Sequence, residues 1–373
     1  MVIDAAKSLP IFVNGRFLGR PVTGVERFAR SILAAVDAMI DDTDAARWTI
    51  LVPPGVPHDQ GFAKLKIRTV SPFSRGHLWE QTTLSWASRK GLLFSPCNSG
   101  PVLHPRHLVV IHDALVFRFP EGFSPSYAHL HRTLGRLLAR RAHLATVSAF
   151  SRSELSSVLH QPAEDIAVLP NAVDHLDGTQ ADPSVLDRYG LEKGSYFLFV
   201  GSPAPNKNLG RAIEAYASLK RPDLPFVLVG KAARVFSQEK SGAAPEGLLP
   251  TGRLSDAEIK ALYKNALALI FPSIYEGFGI PPLEAMSLGC PALCSDIPVM
   301  REICGNAAAY FKPLDQASIA QTMAEMADGR IDADRLRAAG YERKAAFSWE
   351  ASAHLLLARL DAIAALSRTD GVQ

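Results

Sequence analysis

Two glutamates with seven residues between them stand in the segment Tyr275–Met286, which reads Tyr-Glu-Gly-Phe-Gly-Ile-Pro-Pro-Leu-Glu-Ala-Met. Carboxylates accept hydrogen bonds from hydroxyl groups, and sugars and riboses are rich in hydroxyls. We predict a loop at Glu276 and a helix around Glu284, so both carboxylates can face one bound molecule. Taken alone, the pair also fits a helix-capping acid beside a solvated surface acid, or the acid and base of a glycoside hydrolase.

Two glycine-rich loops in the second half of the chain are suited to phosphate. Gly277 and Gly279 free the backbone to point N–H groups at a ligand, and Pro281 marks the start of a helix whose N-terminus favours an anion. The other loop reads Gly-Ser-Pro-Ala-Pro-Asn-Lys-Asn-Leu over residues 201–209, between a predicted strand and a helix. Lys207 in this loop can meet a phosphate. The two loops therefore predict a phosphorylated ligand.

The first half of the chain contributes a histidine and a glycine at predicted loop positions. His112 follows an apolar strand, and a side chain at the carboxyl end of such a strand points into the expected ligand cleft. A core histidine satisfied by the backbone is the alternative interpretation. Asp113 either orients His112 or caps the next turn. Gly24, in the segment Thr-Gly-Val-Glu-Arg, opens a helix after an early strand.

Short β-rich runs alternate with helical patterns along the chain, which is typical of parallel sheets wrapped by helices. In the first half we predict strands at 11–13, 48–52, 67–70, 92–94, 108–111, 144–147 and 166–169, and helices at 25–40 and 151–159. After a polar stretch the pattern restarts, with strands at 196–200, 226–229, 267–271 and 292–294 and helices at 209–220, 256–265, 281–288, 334–347 and 350–366. The α/β pattern predicts two Rossmann-like, doubly wound domains, residues 1–175 and 184–347, whose strand ends face a central cleft. We expect the C-terminal helix, within 348–373, to pack back toward the first domain.

Length and composition are those of an ordinary globular protein. A chain of 373 residues is long enough for two domains, and its content is 47% hydrophobic and 21% charged. The longest apolar runs are too short to cross a bilayer, so we expect a cytoplasmic protein. The four cysteines form neither a disulfide framework nor a C-x-x-C metal pattern, and we interpret them as small buried hydrophobes.

Positive charge is concentrated in the first half of the chain. Residues 1–170 carry 19 Lys and Arg against 13 Asp and Glu, whereas the remainder carries 21 against 24. Part of this excess lies in a predicted basic amphipathic helix at 129–143, whose four leucines, Leu130, Leu134, Leu137 and Leu138, fall at helical spacing. The helix either packs its leucines into the core or presents a surface for an anionic membrane or a diphosphate-bearing acceptor.

The segment from Glu276 through Ala292 closely resembles the signature of glycosyltransferase family 4, whose E-x7-E motif matches Glu276 and Glu284. The resemblance covers most of the chain, because other landmarks of the family appear in the right order. It implies the GT-B fold, a contact of Glu276 with the transferred sugar, and a contact of Glu284 with the ribose hydroxyls.

The resemblance also implies roles for further residues. Lys207 matches the diphosphate-binding lysine of the family, and His112 matches its active-site histidine. The remaining implied donor-binding residues are Gly24, Gly201, Asn206, Arg253, Leu254, Gly277, Phe278, Gly279 and Ile280. Ser202 departs from the pattern, since many members carry an arginine there, and the missing cation leaves Arg211 or Arg253 to compensate.

The implied reaction is a retaining transfer of a hexosyl group, in which the leaving diphosphate helps to deprotonate the acceptor. Positive groups replace a metal ion in this fold, so we expect neither metal nor cofactor, and no Asp-x-Asp element stands in a setting that suggests metal binding. The Glu-Gly-Phe-Gly-Ile-Pro-Pro variant looks most like bacterial mannosyl- or rhamnosyltransferases of polysaccharide assembly. We therefore predict transfer of mannose from GDP-mannose to a saccharide acceptor that is linked to a polyprenyl diphosphate, at the inner face of the cytoplasmic membrane, with no nucleic-acid partner.

Other functions remain open at this point. A rhamnosyl- or glucosyltransferase that uses a dTDP- or UDP-sugar, and a nucleotide-sugar epimerase, fit the same architecture. A glycoside hydrolase would leave Lys207 and the phosphate-suited loops without a role, and no G-x-G-x-x-G opens either domain as a dinucleotide oxidoreductase requires. An inert nucleotide-sugar-binding protein is the last alternative.

Overall fold

A computed structural model of the protein describes residues 9–72, 75–230 and 245–369. The chain divides into two compact units. The first unit comprises Met1–Asn171 together with Trp349–Gln373, and the second comprises Ala172–Ser348. The chain therefore leaves the first unit once and returns to it for its last helix.

The first unit is built on a parallel seven-stranded sheet with the strand order β3-β2-β1-β4-β5-β6-β7. The strands are β1 (Ile11–Asn14), β2 (Trp48–Val52), β3 (Lys66–Thr69), β4 (Leu92–Ser95), β5 (His107–Val110), β6 (His143–Thr146) and β7 (Ile166–Val168). Every residue of β4 and β5 is buried, as expected for strands covered on both faces. The strand order reverses between β1 and β4, and sheets of this class bind ligands at the carboxyl ends of the strands at such a point.

The helices of the first unit follow the strands in alternation. They are α1 (Gly24–Met39), α2 (Asp42–Ala45), α3 (Gly76–Trp79), α4 (Ser85–Ser88), α5 (Leu115–Arg118), α6 (Pro125–Ala139) and α7 (Ala149–Leu159). A π-helical turn, Glu80–Leu84, joins α3 to α4. On α1 the fully buried Phe28, Ile32 and Val36 lie four residues apart, which places one apolar stripe against the sheet.

The second unit is built on a parallel six-stranded sheet with the order β10-β9-β8-β11-β12-β13. Its strands are β8 (Phe197–Val200), β9 (Phe226–Val229), β10 (Leu248–Gly252), β11 (Ala268–Phe271), β12 (Ala292–Ser295) and β13 (Ala308–Phe311). Its helices are α8 (Ser184–Tyr189), α9 (Leu209–Leu219), α10 (Asp256–Asn265), α11 (Ile280–Ser287), α12 (Pro298–Cys304), α13 (Gln316–Ala327) and α14 (Ala333–Lys344). Here the strand order reverses between β8 and β11.

The last helix, α15 (Trp349–Thr369), packs within the first unit. The ring of Trp349 meets the ring of Phe28 on α1 edge-on, at 5.8 Å between centroids. The hydroxyl of Ser352 donates a hydrogen bond of 2.6 Å to the carbonyl of Pro170. None of the helices in the described part of the chain is both long and apolar enough to span a bilayer.

The basic helix differs from its prediction at both ends. Ser124 caps α6, Pro125 opens it, and the helix ends at Ala139, so that His143 already begins β6. Pro is well placed there because the first helical residue has no intrahelical partner for an N–H. Leu134 and Leu138 are buried, but Leu130 and Leu137 are 46% and 41% exposed. The core interpretation is therefore wrong for half of the leucines, because only one face of α6 meets the sheet.

The cysteines are free, as predicted. Cys290, Cys294 and Cys304 are buried, and burial raises the pKa of the Cys290 thiol to about 12. Cys97 differs in being half-buried rather than buried.

Candidate active site

The loops after β8 and β11 meet at the carboxyl edge of the second sheet. Asn206, which is 8% exposed, donates from Nδ2 to the carbonyl of Tyr275 at 3.0 Å. The amide of Ile274 donates to the carbonyl of Asn206 at 2.8 Å. The side-chain amide of Asn206 thus ties the two loops to each other, and the predicted contact of this residue with a donor stays a prediction.

Lys207 and Glu276 form an ion pair across these loops. The ammonium Nζ of Lys207 lies 2.6 Å from Oε1 of Glu276, and the two side chains are only 20% and 11% exposed. The same ammonium lies 5.6 Å from the centre of the Phe271 ring, within the range of a cation–π contact. The residues predicted to hold a diphosphate and a sugar therefore occupy one place, where they form an ion pair with each other.

In the loop after Glu276, the backbone at one position has a conformation that only glycine adopts readily. Gly279 caps α11 with φ +93°, a left-handed conformation that side chains disfavour. A Cβ at this position would also lie 2.3 Å from Cε of Met300. Gly277 and Phe278 are buried, and Ile280 is the half-buried first residue of α11. This loop therefore brings bare backbone to the N-terminus of a helix, which is an arrangement that favours an anion.

The loop after β8 also depends on a glycine, because the backbone at Gly230 passes close to the backbone at Gly201. A Cβ on Gly230 would lie 2.1 Å from the carbonyl oxygen of Gly201. Ser202, at the position of the missing arginine, is exposed. Arg211 is engaged by its own helix start, since Nη1 donates to Oδ1 of Asn208 at 2.7 Å.

Glu284 lies in the second turn of α11 and has two polar neighbours that sequence reasoning missed. The hydroxyl of Tyr263 on α10 donates to Oε2 of Glu284 at 3.1 Å. Nε2 of His175 lies 3.7 Å from Oε1. Neither ring nitrogen of His175 has a hydrogen-bond partner among the described residues. His175 directly follows residues 170–174, Pro-Asn-Ala-Val-Asp, a segment that also resembles a landmark of the family, and that position was the one signal that could have drawn attention to it.

The turn after β10 holds the residues predicted beside the nucleobase. Arg253 is exposed and Leu254 is half-buried, just before the capping box of Ser255 and Glu258 that starts α10. No side-chain hydrogen bond of Arg253 to another described residue is present. Its role at the base or the diphosphate stays a prediction.

His112 lies just beyond β5 in the first unit and is 6% exposed. Nε2 lies 2.8 Å from the carbonyl oxygen of Pro96, and since a carbonyl can only accept, Nε2 carries the proton and Nδ1 is left as an acceptor. Burial lowers the pKa of His112 to about 4, so the ring is neutral at pH 7. The neutral ring can accept a hydrogen bond from a sugar hydroxyl but cannot serve as a cationic acid.

Asp113 and Gly24 each stand at the start of a turn or helix. Oδ1 of Asp113 accepts a hydrogen bond from the amide of Leu115 at 2.8 Å, so Asp113 caps the next turn. Gly24 is the exposed first residue of α1, and the capping box of Thr23 and Glu26 begins the helix there. Gly24 therefore leaves the N-terminus of a long helix open on this side of the first unit.

No group of three or more His, Cys, Asp or Glu side chains suited to a metal ion occurs within residues 9–72, 75–230 and 245–369.

Comparison with known proteins gives a consistent result. The model of a family described as glycosyl transferases group 1 matches residues 187–343. O-antigen chain mannosyltransferase B of Escherichia coli is 30% identical over 66% of this chain and 67% of its own length. O-antigen chain mannosyltransferase RfbU of Salmonella typhimurium is 27% identical over 83% of this chain and 88% of its own length. The crystal structure of Alr3699/HepE of Anabaena, in complex with UDP and glucose, superposes with a TM-score of 0.69 at 17% identity, over 95% of this chain and all of that one.

Proposed function

Because this chain belongs to the group 1 glycosyl transferases, we propose that it transfers mannose from GDP-mannose to a saccharide acceptor with retention of configuration. The chain is a glycosyltransferase of GT-B fold. Two relatives named as O-antigen mannosyltransferases support mannose as the sugar and polysaccharide assembly as the setting. The donor base and the acceptor are parts of the proposal.

The meeting of Lys207 and Glu276 at 2.6 Å is the observation that supports this proposal best. Glycosyl transfer develops positive charge on the sugar ring and negative charge on the leaving diphosphate. Lys207 and the N-terminus of α11 stabilise the diphosphate, and Glu276 accepts hydrogen bonds from the sugar hydroxyls. When the donor binds, Lys207 and Glu276 thus separate from each other. Lys207 then pairs with the diphosphate, and Glu276 with the sugar.

The nucleoside end of the donor lies against Glu284 in this proposal. Its carboxylate accepts from both ribose hydroxyls, and the hydroxyl of Tyr263 holds one of its oxygens in place at 3.1 Å. Nε2 of His175 lies 3.7 Å from Oε1 of Glu284, and neither ring nitrogen has a hydrogen-bond partner among the described residues, so a ribose hydroxyl bound at Glu284 can supply one. Binding thus gives a half-buried polar side chain a partner.

His112 positions the reacting groups and does not donate a proton. Its pKa of about 4, caused by burial, keeps Nδ1 available as an acceptor for a hydroxyl of the sugar or the acceptor. The departing diphosphate oxygen then takes the proton of the attacking hydroxyl, so no protein base is required. The bond from the anomeric carbon to the diphosphate breaks as the bond to the acceptor oxygen forms on the same face.

The acceptor in this proposal is a saccharide linked to a polyprenyl diphosphate, and α6 is the surface through which the enzyme meets the membrane. Leu130 and Leu137, seven residues apart on one exposed stripe, are flanked by the exposed Arg136, Arg140 and Arg141. Exposed leucines among arginines are typical of helices that lie in the interface of an anionic bilayer.

Vesicle binding tests the membrane surface. Changing Arg136, Arg140 and Arg141 to Gln is expected to abolish co-sedimentation with vesicles that contain phosphatidylglycerol, with no loss of binding for a control that neutralises Lys193, Arg330 and Arg335. These control residues are equally exposed but lie in the second unit. Absence of wild-type binding, or equal loss in both variants, contradicts this part of the proposal.

A donor panel followed by a transfer assay tests the function as a whole. A donor at about 100 times its Kd adds about 2.7 kcal/mol of stability, which raises the Tm of a unit of this size by roughly 5–10 °C. We expect this shift with GDP-mannose, and an α-linked product by NMR when a mannosyl acceptor is added. A shift only with UDP- or dTDP-sugars identifies a glucosyl- or rhamnosyltransferase instead. Conversion of the donor sugar without transfer identifies an epimerase, and no shift with any donor refutes the proposal.

A further inference from the structure

A fully buried glutamate lies at the carboxyl edge of the first sheet, where the strand order reverses. Glu80 is 0% exposed, yet its carboxylate has four partners. It accepts hydrogen bonds from Nδ2 of Asn14 at the end of β1 (2.9 Å), from the Ser99 hydroxyl (2.8 Å) and from Nδ1 of His77 (2.9 Å), and it pairs with Arg16 at 3.1 Å. These bonds and the Arg16 cation keep the pKa of Glu80 below its usual value in spite of burial. A buried carboxylate whose hydrogen bonds are all made holds the side chains bound to it in fixed positions.

Glu80 also begins the π-helical turn between α3 and α4. Turns of this kind are rare and occur mostly at functional sites. The partners of Glu80 are polar residues at the sheet edge, in the loops after β1 and β4, and in its own helical segment. The carboxylate therefore orients the side chains that it binds.

His77 is the partner that reaches the surface. Its Nδ1 faces the carboxylate, so Nε2 is the outer nitrogen of the ring, and the side chain is 28% exposed. Among the described residues no hydrogen bond involves Nε2 of His77. A histidine whose inner nitrogen is fixed by a buried carboxylate presents its outer nitrogen in one defined direction.

A row of rings continues outward from His77. His77 meets His131 edge-on at 5.3 Å, His131 lies 4.1 Å from Tyr127, and Tyr127 stacks on Phe123 at 5.3 Å with an angle of 12° between the planes. Tyr127 is 46% exposed. We refer to Phe123, Tyr127, His131 and His77 as the ring row.

Charged groups connect the ring row with the residue beside His112. Burial and then the carboxylate of Asp113 raise the pKa of the Tyr127 phenol. Burial and then the neighbouring His77 lower the pKa of His131, so that ring is neutral at pH 7. The row lies along α6 and reaches His77, which Glu80 holds at the carboxyl edge of the first sheet, and its rings have polar edges.

We propose that the ring row is the subsite that binds the acceptor saccharide, with the exposed part of Tyr127 against the C–H face of a pyranose and Nε2 of His77 hydrogen-bonded to one of its hydroxyls. This inference rests on the proposed function. A pyranose has a C–H face and a rim of hydroxyls, which match exposed aromatic surface bounded by polar atoms. Stacking of Tyr127 and His131 within one helix turn is the alternative explanation, and it predicts an effect on stability alone.

Saccharide binding tests the ring row directly. Ligand-observed NMR with methyl α-mannoside, α-linked mannobiose and methyl α-rhamnoside needs no lipid and no turnover. We expect the wild type to bind at least one of them and Tyr127→Ala to weaken that binding by about 3- to 10-fold, the effect of losing one ring contact. Leu355→Ala is the matched control, since Leu355 is 49% exposed and lies in the first unit, on α15.

Two replacements of His77 separate positioning from support of Glu80. Asn keeps an N–H near the position of Nδ1 and loses the outer nitrogen, whereas Gln places its amide near the outer nitrogen. We expect His77→Gln to bind the saccharide better than His77→Asn does, although His77→Asn is closer to the wild type in Tm. The opposite order for saccharide binding overturns the role of Nε2.

The outcome is distinguishable from failure of the proposed function. A thermal shift with the nucleotide sugar reports the second unit and is expected to be unchanged in Tyr127→Ala. If the wild type binds none of the three saccharides, or if Tyr127→Ala binds as the wild type does, the ring row is not the acceptor subsite. If the donor shift is absent from the wild type, it is the proposed function that fails.

Discussion

Replacement of Glu276 by Gln is expected to have opposite effects on binding of the nucleoside diphosphate and on transfer. In the empty protein, Nζ of Lys207 is bound to Oε1 of Glu276 at 2.6 Å. A diphosphate that takes Lys207 must therefore break or share this ion pair, and it must also approach the Glu276 carboxylate. Gln removes the negative charge and nearly keeps the shape.

The expected gain in GDP affinity follows from the exposure of the ion pair between Lys207 and Glu276. Because the two side chains are 20% and 11% exposed, the pair is partly screened, and it is worth about 1 kcal/mol. Relief of repulsion between the carboxylate and the diphosphate adds up to about 1 kcal/mol more. We therefore expect GDP to bind roughly 5- to 30-fold more tightly to Glu276→Gln than to the wild type.

Transfer should change in the other direction. In the proposed complex the carboxylate accepts charge-assisted hydrogen bonds from the sugar hydroxyls, each worth about 1.5–3 kcal/mol, so loss of one lowers kcat/KM roughly 10- to 150-fold. Calorimetric titration with GDP and a transfer assay at low donor concentration measure the two quantities. Lys207→Met is the control, and it is expected to lose both GDP affinity and transfer by a similar factor. Weaker GDP binding in Glu276→Gln, or unchanged GDP binding in Lys207→Met, refutes this account of the ion pair.

Three further predictions concern residues outside that pair. Glu284→Ala is expected to weaken GDP binding by about 10- to 150-fold in calorimetry, because the ribose loses a charged acceptor. Tyr263→Phe is expected to have a smaller effect. Equal transfer activity in Glu276→Ala and Glu284→Ala contradicts the roles assigned to the two glutamates. Gly279→Ala is expected to cost about 1–3 kcal/mol in urea unfolding, through its φ of +93° and the approach to Met300, and more than Gly329→Ala, which has a positive φ and open space around its Cβ. Glu80→Gln is expected to lower the free energy of unfolding at pH 7 by about 3–5 kcal/mol, since it strands a buried cation. The pKa of Glu80 is lower in the folded than in the unfolded state, so its stabilisation is present above the unfolded pKa near 4 and is lost as the pH falls through the folded pKa. The free energies of unfolding of the wild type and of Glu80→Gln should therefore converge in acid. A difference that stays constant with pH contradicts the reasoning.

Most strands were predictable because each is a short apolar run between polar turns. The predicted strands at 92–94 and 226–229 lie within one residue of β4 and β9. Two strands were not predicted, and both are at edges of the second sheet. β10 contains Pro250 and ends at Gly252, residues that an edge strand tolerates and a sequence pattern does not favour. β13 begins with two alanines, which have little preference for a strand.

The candidate site was predictable only as far as its motifs extend. Lys207 and Glu276 were each found in a loop suited to phosphate, but their mutual contact depends on β8 and β11 being neighbours, and strand order is not visible in the pattern. The same holds for Glu80, whose partners Asn14 and Ser99 come from the ends of two strands that are adjacent only in the folded sheet. His112 is buried and its Nε2 meets a backbone carbonyl, as the alternative interpretation of this histidine predicted, but its low pKa depends on burial that the sequence pattern does not reveal.

The return of α15 to the first unit bears on how the protein is made. The ribosome completes Ala172–Ser348 before it adds Trp349, so the second unit can fold while the first still lacks the helix that packs against Phe28 on α1. Domains generally fold as units during synthesis, and exposed apolar surface in the interval attracts chaperones and proteases. The N-terminal unit is therefore the later of the two to mature, and chains that end prematurely before Trp349 should be removed by quality control even though their second unit is whole.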